Sequence, residues 1–161
     1  MKFEQAFTKL LGHEGGYSNN PRDTGGETMW GVTIAVARAN GYTGAMRALP
    51  QSVAMAIYKK DYWDAVQADK LPDAARYAVF DAAVNSGVKQ AAKWLQQALR
   101  VNQDGVIGKQ TLAAAQLYDG RELAAKMLGA RLQFMTNIPS WPTFGKGWAR
   151  RIAALLAEVA A

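Results

Sequence analysis

Residues 73–86 read DAARYAVFDAAVNS. Tyr77, Phe80 and Val84 recur at the spacing of one face of an α-helix. Ala78, Ala82 and Ala83 occupy neighbouring faces, where small side chains let other helices approach closely. The segment therefore predicts a central helix buried on several sides, ended by Gly87. Downstream, residues 89–100 predict a second helix anchored by Trp94, Leu95 and Leu99. VNQDGVIG (101–108) reads as a turn, and 109–118 resumes the helical pattern. Two longer helices follow, over about 120–136 and 145–160, with Pro139, Pro142 and Gly145 bounding the link between them. The last carries Trp148, Ile152, Leu155, Leu156 and Val159 on its apolar side.

Upstream, Phe3, Phe7, Leu10 and Leu11 place a first helix over about residues 2–13, with Gly15-Gly16 as its stop. The polar, glycine-rich stretch 17–33 predicts a loop or a small irregular hairpin. Short helices are expected at 33–39, stopped by Asn40-Gly41, and at 51–60 after Pro50, with YWDAV (62–66) continuing into a further turn. No segment keeps the period-two alternation of a sheet. The chain reads as mainly α with one small irregular or β-hairpin lobe.

At 161 residues, one domain with an adequate core is expected. There is no cysteine, which removes disulfides and thiolate chemistry and fits a reducing compartment. Nineteen basic residues against thirteen acidic ones leave a net charge of +6, which suits a polyanionic neighbourhood. The basic clusters, Lys59-Lys60 and Arg150-Arg151, are too short to suggest a nucleic-acid footprint, so no nucleic-acid partner is expected. No stretch approaches the ~18 apolar residues of a membrane-spanning helix. The opening MKFEQAFTKLLGHEGG is interrupted by Glu4, Lys9 and His13 and does not read as a secretory signal.

Glu14 stands out among the residues able to do chemistry. The stripe Phe3, Phe7, Leu10 leads to it along the face expected to point inward. Apolar surroundings and a helix C-terminus both favour a neutral carboxyl, the state a general acid needs. The competing reading is an exposed terminal carboxylate, or one neutralised by His13. Asp23, in NPRDTGG, is the natural second carboxylate, with Glu27 as a rival and Thr28 able to orient a water. A turn-capping Asp is the plainer alternative. Tyr17, Trp30, Tyr58, Tyr62 and Trp63 offer flat apolar faces with polar handles, suited to sugar rings and equally to a core. Asn85 and Ser86 are placed to bond acetamido or hydroxyl groups, or simply to cap a helix.

His13 is the sole histidine, and no nucleophile elbow or HExxH spacing accompanies it. Gly25-Gly26 lacks the lysine-serine pair of a phosphate loop. No metal and no cofactor are expected.

HEGGYSNNPRDTGGETMWGVT (13–33) resembles the opening motif of glycoside hydrolase family 108, the phage and prophage N-acetylmuramidases. YKKDYWDA (58–65), VFDAAVNSGVKQAAKWLQQAL (79–99) and WPTFGKGWARRI (141–152) extend the similarity over nearly the whole chain. AAKWLQQALRVNQDGVIGKQTLAAA (91–115) resembles a peptidoglycan-binding module, with its Leu-Gln pair at Leu95-Gln96 and its Asp-Gly-x-x-Gly turn at Asp104, Gly105 and Gly108.

The resemblance implies a lysozyme-like helical globule that cleaves the β-1,4 bond from N-acetylmuramic acid to N-acetylglucosamine. It places the family's glutamate on Glu14, its aspartate on Asp23 and its threonine on Thr28. Tyr17, Trp30, Tyr62, Trp63 and Asn85 are then the expected substrate contacts. The expected organisation is a single domain, 1–161, with a catalytic region at 1–88 and a peptidoglycan-binding-like region at 89–161 packed onto it. The resemblance further implies an endolysin-type monomer, made in the bacterial cytoplasm and acting in the periplasm or cell wall after membrane permeabilisation. A non-catalytic wall-binding protein and a lytic transglycosylase are the alternatives. Ordinary packing of the last helix is the main expectation, with transient contact to anionic membrane through Arg150 and Arg151 as the alternative.

Overall fold

The computed structural model describes residues 1–12, 15–22 and 24–161; His13, Glu14 and Asp23 lie outside the described residues. Two compact units emerge, one of residues 2–61 and one of residues 62–161 joined by Met1.

In the first unit, helix α1 (Phe3–Leu11) buries Phe3, Ala6 and Phe7. Phe7 meets Tyr58 edge-on at 5.4 Å between ring centroids. Gly12 ends the helix at φ 54°, its N–H bonded to the Thr8 carbonyl at 3.1 Å. The stop thus falls at Gly12 and not at Gly15-Gly16, and the helical stripe ends at Leu11. Gly12 can take the left-handed backbone that releases the chain, so no later glycine is needed for it.

The lobe expected at 17–33 contains a hairpin of strands β1 (Thr28–Met29) and β2 (Val32–Thr33), with Thr28 opposite Thr33 and Met29 opposite Val32. Its two corner residues, Trp30 at φ 54° and Gly31 at φ 74°, both have the positive φ that a tight type I′ turn demands. An antiparallel bridge adds Ser18 to the other side of Thr28, with N–H···O distances of 2.9 and 2.8 Å. Helix α2 (Ile34–Ala39) follows, its first turn capped by Thr33, whose hydroxyl accepts from the Val36 N–H at 3.3 Å. Helix α3 (Gln51–Tyr58) begins after Pro50 and runs on into a π-helical segment, Lys59–Asp64.

The second unit is built on helix α4 (Asp73–Ser86), in which every residue from Tyr77 to Ala83 is buried. Val84, the last of the expected stripe, is only half-buried. Gly87, at φ 87°, turns the chain into helix α5 (Val88–Leu99). Helices α6 (Lys109–Ala115) and α7 (Gly120–Thr136) follow, α7 capped by Asp119, whose carboxylate accepts from the N–H groups of Arg121 and Glu122.

Helix α8 (Trp141–Ala160) starts four residues earlier than the sequence suggests. Pro142 sits in its first turn, where its missing N–H has no partner to lose. Gly145 is buried in the helix instead of bounding it. Helix α4 packs on α5 and α7, and α7 packs on both α5 and α8.

Two polar knots lie within this apolar unit. Gln96, buried in α5, holds the 101–108 turn with three hydrogen bonds and reaches α6 with a fourth. Its amide N–H group donates to Asp104 Oδ1 (2.8 Å), the Val106 carbonyl (2.9 Å) and Thr111 Oγ1 (3.1 Å), and its Oε1 accepts from Gly105 N–H (2.9 Å). The Val106 N–H and Gln96 bonds to Asp104 lower that carboxyl below its usual range. In the second knot, Asp81 of α4 accepts from Arg131 of α7 at 2.6 Å and from Arg151 of α8 at 2.5 and 2.9 Å. Arg151, still 40% exposed at its side chain, thereby joins α8 to an internal carboxylate. Burial, followed by the nearby Asp81 charge, pushes Tyr77 up to about 12. Among the described residues no helix is long and apolar enough to cross a membrane.

Candidate functional site

In the first unit, Trp30 is held at the corner of the hairpin. The indole of Trp30 donates from Nε1 to the Leu49 carbonyl at 2.9 Å, which fixes the ring. Its backbone N–H reaches the Gly15 carbonyl at 3.3 Å. The chain at Gly15 lies so close to the ring that a Cβ there would sit 2.6 Å from an indole carbon. Tyr58 completes the support by donating its hydroxyl to the Trp30 carbonyl at 3.2 Å, and a Cβ on Gly31 would meet that hydroxyl at 2.5 Å. Glycine is therefore required at position 15 by contact and at position 31 by both contact and backbone conformation. Helix α1, the hairpin corner and α3 are tied through Phe7, Tyr58 and Trp30. Gly15, which follows Glu14 in the sequence, is part of this frame.

Gly15→Ala is an expected loss-of-function change. The methyl must displace a hydrogen-bonded indole, an overpacking cost of roughly 1–3 kcal/mol. A thermal melt is expected to fall by several degrees, and cell-wall lysis measured by turbidity is expected to fall with it. Wild-type values for both would show that the Gly15–Trp30 contact positions nothing.

Thr28 is half-buried at the centre of the small sheet, its backbone paired to Ser18 on one side and to Thr33 on the other. Tyr17 has partners inside the protein. Its hydroxyl donates to Glu27 Oε2 at 2.8 Å, and the Arg47 guanidinium stands 4.1 Å from its ring centroid. The hydrogen bond to Glu27 raises the Tyr17 hydroxyl pKa above its usual value, with burial adding to it and Arg47 opposing. Glu27, the rival to Asp23, is thus engaged by a neighbour. Arg47 escaped the sequence reading because its role depends on a fold-back across 30 residues. Glu14 and Asp23 lie outside the described residues.

The second unit holds the remaining expected residues. Tyr62 is half-buried in the π-helical segment. Trp63 is completely buried and meets Phe80 edge-on at 5.4 Å, so it serves the core and offers no face to a sugar. Asn85 is exposed in the last turn of α4, with its Nδ2 donating to the Asp81 carbonyl at 2.8 Å. It lies on the wall of a cavity of about 370 Å³ whose lining includes Ser86, Gln90, Trp94, Phe134 and Trp148. Phe134 and Trp148 were not singled out as ligand contacts from sequence. Trp141, Phe144 and Trp148, at i, i+3 and i+7, are the signal that marks this aromatic face. Among the described residues no group of three or more His, Cys, Asp or Glu side chains is placed to hold a metal ion.

The family profile described as glycosyl hydrolase 108 matches residues 7–87, and a profile described as a predicted peptidoglycan domain matches residues 90–153. Among solved structures, the chain is similar to SagA of Brucella abortus, with a TM-score of 0.86 and 35% sequence identity over 98% of this chain and 92% of that one. No curated protein sequence matches. The matched regions and the lysozyme-like helical architecture agree on a glycoside hydrolase acting on peptidoglycan, and the chain belongs to the glycosyl hydrolase 108 family.

Proposed function

We propose that this enzyme hydrolyses the β-1,4 bond between N-acetylmuramic acid and N-acetylglucosamine, with Glu14 as the general acid. The observation that supports it best is the frame beside position 14: Gly15 pressed on an indole that is itself locked to Leu49, with Thr28 in the adjoining hairpin. A rigid frame suits a proton donor, because proton transfer requires a fixed short distance to the leaving oxygen. In this reading Glu14 protonates the glycosidic oxygen as the bond to C1 breaks. Positive charge builds at C1 and the ring oxygen. Asp23, with Thr28, holds the water that adds to C1 and accepts the proton that the water gives up. The bond of Glu27 to Tyr17 favours Asp23 over Glu27 for this part.

The net charge of +6 favours encounter with an anionic wall, as an endolysin's work requires. Mass spectrometry of muropeptides released from purified walls tests the bond assignment. Products ending in reducing muramic acid are expected. A reducing glucosamine end would make the enzyme a glucosaminidase. An anhydro-muramic end would mean that the sugar's own hydroxyl, and not water, attacks C1. Either result overturns the proposal.

A further inference from the structure

The cavity at the C-terminal end of α4 is lined wholly by residues of the second unit. It is walled by Asn85, Ser86 and Gln90 on one side and by Trp94, Phe134 and Trp148 among its aromatic residues. Its full lining contains amides, hydroxyls and apolar groups and no charged side chain. Its volume of about 370 Å³ falls in the range of small-ligand sites. Trp94 is almost wholly buried, and its Nε1 finds no hydrogen-bond acceptor among the described residues.

The apolar surface does not stop at the cavity. From Trp148 it continues along α8 to Phe144 at 5.7 Å and Trp141 at 6.3 Å between ring centroids. Phe144 is 56% exposed and Phe134 is 43% exposed. Gly145 is what lets the Trp141 ring lie across the helix, because a Cβ there would stand 2.3 Å from an indole carbon. A glycine inside a helix is less favourable than alanine, and this one secures the position of an aromatic ring.

From these observations we infer that the cavity and its aromatic strip bind the sugar backbone of the glycan strand, through an uncharged N-acetylhexosamine unit, and do not bind the stem peptide. The inference rests on the enzyme acting on peptidoglycan and adds which part of that polymer the helical unit grips. Aromatic faces match the C–H face of a pyranose ring. The Asn85 and Gln90 amides and the Ser86 hydroxyl can each donate and accept, as acetamido and hydroxyl groups require. A stem peptide brings carboxylate and ammonium charges, and an uncharged lining offers them no counter-charge to offset desolvation.

Nuclear magnetic resonance on the full chain carrying Glu14→Gln tests the inference, with the β-1,4-linked N-acetylglucosamine tetramer and a free stem tetrapeptide as separate probes. The tetramer is expected to move the indole N–H signals of Trp94 and Trp148 and the side-chain amide signals of Asn85 and Gln90. The tetrapeptide is expected to leave them in place. Trp148→Ala is expected to weaken the affinity read from those amide signals about tenfold. Asn85→Ala with Gln90→Ala is the second variant, read at the indole signals, and spares the buried core.

Stationary signals at saturating tetramer would overturn the inference, as would movement caused by the tetrapeptide alone. Wall lysis by the wild-type protein is scored separately. Lysis without signal movement removes the glycan subsite and leaves the proposed hydrolysis intact, whereas signal movement in a protein that lyses nothing keeps the subsite and removes the hydrolysis.

Discussion

Glu14→Gln is expected to reduce lysis of permeabilised bacteria at least ~100-fold, the minimum expected when an essential proton donor is lost. The amide keeps the size and shape of the carboxyl but has no proton of the right acidity to give to a departing sugar oxygen. Wall binding is expected to survive, because the region matching the peptidoglycan domain, residues 90–153, carries its own buried helices and its own aromatic surface. The measurement pairs turbidity loss with a sedimentation assay on purified walls. Reduced turnover with retained sedimentation identifies Glu14 as chemical. Equal lysis by both proteins removes Glu14 as the acid, and a non-catalytic wall-binding role would stand only if neither protein lysed cells. Loss of both lysis and sedimentation would instead mean that position 14 supports the fold, which a melting curve on the same sample distinguishes.

Much of the helical framework was legible from sequence because its signals were local. The alanines around Tyr77 and Phe80 announced a helix buried around its circumference, and Gly87 marked its end. The 120–136 helix has the bounds expected from sequence, although buried Arg131 interrupts its apolar face. The misreadings share a different cause. Gly12, Gly15 and Gly16 can all end a helix, and only packing shows that Gly12 takes the left-handed turn while Gly15 serves the indole of Trp30. Pro142 and Gly145 look like helix breakers, yet one sits in a tolerant first turn and the other lies under Trp141.

The site was legible more unevenly. Glu14 follows from the helical stripe, and Asp23 and Thr28 from their loop and the motif, whereas exposure depends on the folded chain. Tyr62 and Trp63 are adjacent aromatics that sequence cannot rank, and the fold leaves the first half-buried while enclosing the second. The Trp30 corner was hidden because a Trp-Gly pair lacks the Asn-Gly or Asp-Gly signature of a type I′ turn. The partners of Asp81 stand 50 and 70 residues away along the chain, beyond the reach of any spacing rule.

Those distant partners make Asp81→Ala the change expected to destabilise the protein most. Asp81 and Arg131 are each 1% exposed, whereas Arg151 is 40% exposed at its side chain. Removing the carboxylate leaves Arg131 charged and buried, and breaking a buried pair from one side costs about 3–5 kcal/mol. Against a total stability on the order of 5–15 kcal/mol, that is a large share. For a chain of this size, roughly 2–4 °C in Tm accompanies each kcal/mol.

Arg151→Ala should cost much less, because water reaches its guanidinium and screens the pair. The ordering is therefore Asp81 well above Arg151, read from urea midpoints at unchanged slope. Asp81→Leu combined with Arg131→Met is expected to recover much of the loss, since apolar groups of similar volume need no counter-charge. Equal, small effects at Asp81 and Arg151 would show that the trio is not what joins α4, α7 and α8. The same test bears on function through α4 itself. Asn85 bonds back to the Asp81 carbonyl and stands on the cavity wall, so loosening this helix end should shift the Asn85 amide signal even where the protein remains folded.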